Sequence, residues 1–193
     1  MSHTVYIVPR WSGNKHSDWY DWFDDQVSAR FGATVTALDM PHWNAPAIEE
    51  ATAFLVKQIP FLDESVLLVG HSVGCQAILR FLQKRKTENP AIRVGGVLLV
   101  AAWFGVDESW DTVMPWLDNE NLDYPLLRDR ISQKRVLVSD NDPFTSAYAR
   151  NADLWRERLE AEVTICPQRA HFNQAIEPDV LAEFTLMMQA ITG

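Results

Sequence analysis

The chain has 193 residues, and 47% of them are apolar, enough for a single domain over residues 1–193 with a sizeable core. Seventeen Lys and Arg stand against 26 Asp and Glu, a formal net charge of −9, which argues against nucleic acid as a partner because phosphate binding needs clustered cations. The two cysteines, Cys75 and Cys166, form neither a C-x-x-C pair nor a disulfide framework, and no His and Cys spacing suits a zinc ion.

The N-terminal stretch MSHTVYIVPRW carries an apolar run at residues 5–8 that predicts a first strand. The run is too short for a signal-peptide core or a membrane span, so the expected location is the cytoplasm, away from the membrane. A helical pattern over 19–30 follows Ser17 and Asp18, which are placed to cap it. Residues 34–38 predict a second strand. Residues 47–59 predict a helix with Ile48, Ala51, Phe54, Leu55 and Ile59 on one face. A third strand over 66–69 leads into a helix over 74–86, whose basic end, RFLQKRK, complements the helix dipole. A fourth strand is expected at 94–101. The connection over 105–133 is long, rich in aromatics and acids, and reads as functional, with a helix of its own. A fifth strand at 135–139, a helix at 145–159, a sixth strand at 162–166 and a last helix at 179–191 complete the chain. The strand runs are rich in Val, Ile and Leu without strict alternation, as in strands covered on both faces. Strand alternating with helix predicts a three-layer α/β/α sandwich around a mostly parallel sheet of six strands.

The stretch VGHSVGC stands where the third strand gives way to a helix, and it carries the pattern G-x-S-x-G as Gly70, Ser72 and Gly74. That pattern suits a serine on a sharp strand-to-helix turn, its hydroxyl clear of the backbone. Side chains at the two glycines would crowd the turn. The helix start directs backbone N–H groups at the reaction centre, which makes the N–H of Val73 a candidate oxyanion donor. A nucleophilic serine needs a base and an acid, and in this architecture they follow it in the order Ser, acid, His, each at a strand end. Of the five histidines only His171, in PQRAHFN after the sixth strand, fits. The fifth strand ends in SDNDPF, where Asp140 and Asp142 both qualify; either could instead serve the local backbone, Asp142 as an N-cap and Asp140 in the turn.

With these pieces in place, the sequence resembles the small serine hydrolases of the α/β-hydrolase superfamily, more narrowly the family of YdeN and retinoblastoma-binding protein nine. The matching stretches are VYIVP, HSDWYDWF, VGHSVGCQA, SDNDPF and AHFN, spread from Val5 to Asn173. The resemblance implies a compact α/β-hydrolase fold without a large lid. It selects Asp142, the Asp before the Pro, as the acid and His171 as the base. It also implies a second oxyanion N–H after the first strand, which by register is that of Trp11. Many relatives have a glycine-rich stretch there; this chain has Pro9, Arg10 and Trp11, with the Arg10 side chain placed to reach into the site.

The expected chemistry is hydrolysis of a small ester or related acyl substrate through an acyl-enzyme on Ser72, with no cofactor and no metal. Eight tryptophans invite an aromatic-lined pocket. Trp103 and Phe104, just after the fourth strand, are the leading pocket candidates beside Arg10. The competing readings are a protein-binding module on the same fold and a nucleotide or flavin protein. The last would need a phosphate-binding loop after the first strand, and PRWSGNKHSD is a poor one.

Overall fold

The computed structural model describes residues 2–89 and 91–193. Six strands, β1 (Thr4–Val8), β2 (Thr34–Ala37), β3 (Val66–His71), β4 (Val94–Val100), β5 (Ile131–Ser139) and β6 (Glu162–Cys166), form one sheet in the order β2-β1-β3-β4-β5-β6. Every pairing is parallel. Parallel neighbours need crossovers, and among the described residues six helices lie along the connections, α1 (Tyr20–Phe31), α2 (Ile48–Gln58), α3 (Val73–Glu88), α4 (Met114–Leu117), α5 (Tyr124–Arg130) and α6 (Tyr148–Leu159), while α7 (Pro178–Thr192) follows the last strand.

The pleat sends alternate strand residues to opposite faces, and two cores result. Leu68, Val97, Leu99, Val136 and Val138 meet α2, α3, α5 and α6 on one side. Leu67, Val69, Leu98, Val100 and Leu137 meet α1 and α7 on the other. This is the three-layer α/β/α arrangement expected from the sequence.

Several details differ from expectation. The edge strands β2 and β6 are largely exposed rather than covered on both faces, because each has a neighbour on one side only. β5 begins four residues earlier than its apolar run, at Ile131. The connection over 105–133 holds two short helices, α4 and α5, instead of one. Neither Ser17 nor Asp18 caps α1 through its side chain; Asp18 binds Arg10 instead, with Nε–Oδ2 at 2.7 Å. No helix among the described residues is long and apolar enough to cross a membrane.

Glu177, just before α7, is fully buried. Its Oε1 accepts the Gln174 N–H at 3.2 Å, while Oε2 has no partner among the described residues. Burial pushes this carboxyl above its usual range, so folding disfavours the charged form. Stability then falls as pH rises from the unfolded-state value through the raised folded-state value, and the full penalty stands above it. Glu177→Gln is expected to raise Tm by roughly 2–4 °C at about pH 8 and by much less at about pH 4, where the carboxyl is mostly protonated even when unfolded. Thermal melts at both pH values test this; an equal gain at both would mean the charge is not responsible.

Candidate active site

Ser72 is the single residue between β3 and α3. Its backbone has φ 54 and ψ −118, a conformation that L-residues rarely adopt. The strain is held from both ends. The Ser72 N–H donates to Val100 O at 2.8 Å, tying the turn to β4, and the Cys75 N–H donates to Ser72 O at 3.0 Å, starting the helix. The flanking glycines are required by space. A Cβ on Gly74 would strike the carbonyl oxygens of Val8 and Pro9, and one on Gly70 would lie 2.8 Å from the Cys75 backbone. The elbow and the end of β1 are therefore in direct backbone contact.

The end of β1 turns at once. The Gly13 N–H closes a turn on Arg10 O at 2.8 Å, with Ser12 at positive φ. This turn uses the N–H of Gly13 and leaves that of Trp11 over. Among the described residues neither the Trp11 N–H nor the Val73 N–H donates to a protein acceptor, as befits one unclaimed donor in a turn and one at a helix start.

His171 follows β6 in a loop where Gln168, Ala170 and Phe172 all have positive φ. Its Nδ1 lies 2.8 Å from Asp142 Oδ2, and both residues are buried. Asp142 Oδ1 accepts the Phe144 N–H at 2.9 Å. The carboxylate can only accept, so Nδ1 of His171 carries the hydrogen and Nε2 keeps its lone pair. Asp140 sits two residues away and serves the loop backbone: its Oδ1 accepts the Gln168 N–H at 2.8 Å. The two carboxylates left open by the sequence thus separate by partner.

A buried chain of hydrogen bonds joins the three loops. The Arg10 N–H donates to Tyr20 Oη at 3.1 Å, and Tyr20 Oη lies 2.9 Å from His71 Nδ1. His71 Nε2 lies 2.8 Å from the main-chain oxygen of His171. A carbonyl only accepts, so Nε2 of His71 is protonated, and the Tyr20 hydroxyl donates to Nδ1. Burial, with the neighbouring His171, holds the His71 imidazole well below its usual value and hence neutral. Tyr20 and His71 stood in the stretches HSDWYDWF and VGHSVGCQA, but nothing in the sequence paired them; the partners are 51 positions apart.

Ser72 and His171 open into a cavity of about 270 Å³, walled by Trp11, Trp103, Val106, Trp110, Val113 and Phe144. Its other side chains are apolar or aromatic. The Trp103 indole N–H donates to Ser72 Oγ at 3.3 Å, and Ser72 Oγ is not bonded to His171. Phe104, named with Trp103 from the sequence, lies outside this cavity; it packs on Trp155 with ring centroids 4.1 Å apart. Neighbouring residues in an extended segment point to opposite sides, and Trp103 takes the site side. Arg10 is also outside, in an adjoining space that shares His171. Trp43 and Trp116 are core residues whose indole N–H groups bind Pro9 O and Pro46 O. Val106, Val113 and Phe144 were not foreseen as lining; Phe144 stood in the quoted stretch SDNDPF. A wider depression of about 720 Å³ between α2, α3 and α4 contains none of these candidate groups. Among the described residues no group of three His, Cys, Asp or Glu side chains is placed to hold a metal.

A family model described as serine hydrolase matches residues 5–179. The chain belongs to the serine hydrolase family. YdeN of Bacillus subtilis strain 168, named as a hydrolase, is 31% identical over 174 residues, which cover 89% of this chain and 87% of YdeN. The crystal structure of the B. subtilis ydeN gene product superposes with a TM-score of 0.81, covering 97% of this chain and 100% of the other, at 23% identity over that structural alignment. Est1E of Butyrivibrio proteoclasticus with ferulic acid bound gives a TM-score of 0.67 at 12% identity, covering 97% of this serine hydrolase and 90% of Est1E. At such identities the structural matches speak for the fold, an α/β hydrolase.

Proposed function

We propose that this serine hydrolase cleaves carboxylic esters of small apolar acids, with Ser72 as nucleophile, His171 as general base and Asp142 as its acid partner. One observation carries the reading: Ser72 and His171 open into the same apolar cavity, while Nδ1 of His171 rests 2.8 Å from the buried Asp142 carboxylate. Ser72 Oγ attacks the acyl carbon as Nε2 of His171 takes its proton. The N–H groups of Val73 and Trp11 receive the oxyanion. His171 returns the proton to the leaving alcohol as the C–O bond breaks. Water then repeats the sequence on the acyl-enzyme and frees the acid. The chemistry calls on no metal or cofactor. The Trp103 hydrogen bond occupies a lone pair of Ser72 Oγ and leaves its hydrogen for His171; such contacts commonly tighten only when substrate binds. A 270 Å³ cavity lined by tryptophans suits a short aliphatic or single-ring acyl group.

The test is labelling with a fluorophosphonate and location of the adduct by peptide mass spectrometry. One adduct on Ser72 is expected, blocked by a slowly turned-over acyl ester. A folded chain that stays unlabelled would count against the reading and favour a protein-binding role.

The Tyr20–His71 chain gives a second expectation. Tyr20→Phe removes the donor to His71 and the acceptor for Arg10, while keeping the ring in the core. Both flank the reacting groups, so kcat for an acyl ester is expected to fall roughly tenfold to a hundredfold, with KM little changed because the cavity wall is untouched. Steady-state kinetics check this; a change in KM alone would rule out the positioning role.

A further inference from the structure

We propose that the active site is divided at His171 into an apolar acyl cavity on the Ser72 side and a leaving-group compartment for an uncharged polyol on the other. The inference rests on the ester-hydrolase reading above. A second space, of about 340 Å³, is lined by Arg10, Trp11, Phe144, His171 and Asn173. It shares Trp11, Phe144 and His171 with the first cavity but does not include Ser72. The division matches what the chemistry demands. His171 must hand its proton to the departing oxygen, so the alcohol lies on the His171 side of the acyl carbon and the acyl chain lies on the other.

The two compartments differ in chemistry. The acyl side has apolar walls. The other has Arg10, whose charge is matched by Asp18: Nε and Nη2 donate to the carboxylate at 2.7 and 3.2 Å, and Nη1 donates to Trp11 O at 3.0 Å. Asn173 Nδ2 reaches the same carboxylate at 3.3 Å. Arg10 is the only one of the pair that lines the space, and with Asp18 buried against it the compartment offers no unbalanced charge to an ionic alcohol. The Asp18 pairing takes two of the five N–H groups of the guanidinium and Trp11 O a third, and the Arg10 side chain is 28% exposed. Asn173 Oδ1 accepts from no protein donor among the described residues. Donors and an acceptor side by side, with the charge balanced, suit neighbouring hydroxyls, as on glycerol or a sugar.

The experiment compares kcat/KM for glyceryl, hexyl and choline butanoates, which share one acyl group, in the wild type, Asn173→Leu and Asn173→Asp. In the wild type the glyceryl ester is expected to exceed the hexyl ester about tenfold, the worth of one to two hydrogen bonds. Asn173→Leu should bring that ratio to about one. Asn173→Asp, which adds a charge beside Asp18, should raise the choline ester relative to the others. Fluorophosphonate labelling of the wild type runs alongside. If Ser72 labels but the hexyl ester matches the glyceryl ester and Asn173→Leu leaves the ratio unmoved, the polyol compartment is overturned and the ester-hydrolase reading survives. If the folded wild type neither labels nor cleaves any of the three, both are overturned.

Discussion

Ser72→Ala is expected to lower ester turnover about a millionfold, and His171→Ala by a similar factor. Alanine keeps the Cβ, so the unusual φ of 54 at the elbow is unchanged; only the hydroxyl and its 3.3 Å contact with the Trp103 indole are lost. His171→Ala removes the proton acceptor and also leaves Asp142 Oδ2 without its 2.8 Å partner. The two groups act as a unit, so the double variant should be about as slow as either single one rather than slower by the product. What remains is the contribution of binding and the backbone N–H donors. Steady-state hydrolysis of p-nitrophenyl butanoate checks this, with circular dichroism to show that each variant folds. If Ser72→Ala keeps more than about a tenth of the activity, some other group is the nucleophile.

Asp142→Asn is expected to cost about ten-thousandfold in kcat, while Asp140→Asn stays within a few-fold of the wild type. Phe144 fixes the outcome at the first position. Its N–H donates to Oδ1 of residue 142 at 2.9 Å, so an asparagine there keeps its oxygen toward Phe144 and turns its NH2 toward His171. Two donors would then face each other unless the imidazole moved its hydrogen to Nε2, and Nε2 could no longer accept a proton. At Asp140 the partners are the N–H and Nε2 of Gln168, at 2.8 and 3.3 Å, both on Oδ1. Asparagine retains that oxygen. Equal losses at the two positions would point to loop disruption as the cause.

The sequence was most legible where local pattern and tertiary environment agree. The central strands are buried on both faces, so their Val, Ile and Leu runs stand out. β6 was found with the same bounds although it is largely exposed, because β-branched residues mark it even at an edge. Helix starts read less well. The last two strand-following helices begin at Tyr148 and Pro178, whereas expectation placed them at 145 and 179, since turns before a helix share its composition. Asp18 illustrates a deeper limit. Its position marks a helix cap, and tertiary structure commits it to Arg10 instead. The same limit hides Tyr20 and His71, whose partners are remote in the chain and leave no local periodicity. Trp103 and Phe104 could not be told apart by residue type, because which of two successive aromatics faces the cavity depends on a backbone turn at Ala101, with φ 48.

The backbone at Ser72 has a consequence for durability. A non-glycine residue in such a conformation costs on the order of 1–3 kcal/mol, against a total folding stability of about 5–15 kcal/mol for a typical domain. Glycine at the same place would relieve that tension and give a hardier but inert molecule. Robustness and reactivity therefore pull this one position in opposite directions, so a lineage released from any demand for turnover would be expected to shed the serine early while keeping the surrounding fold.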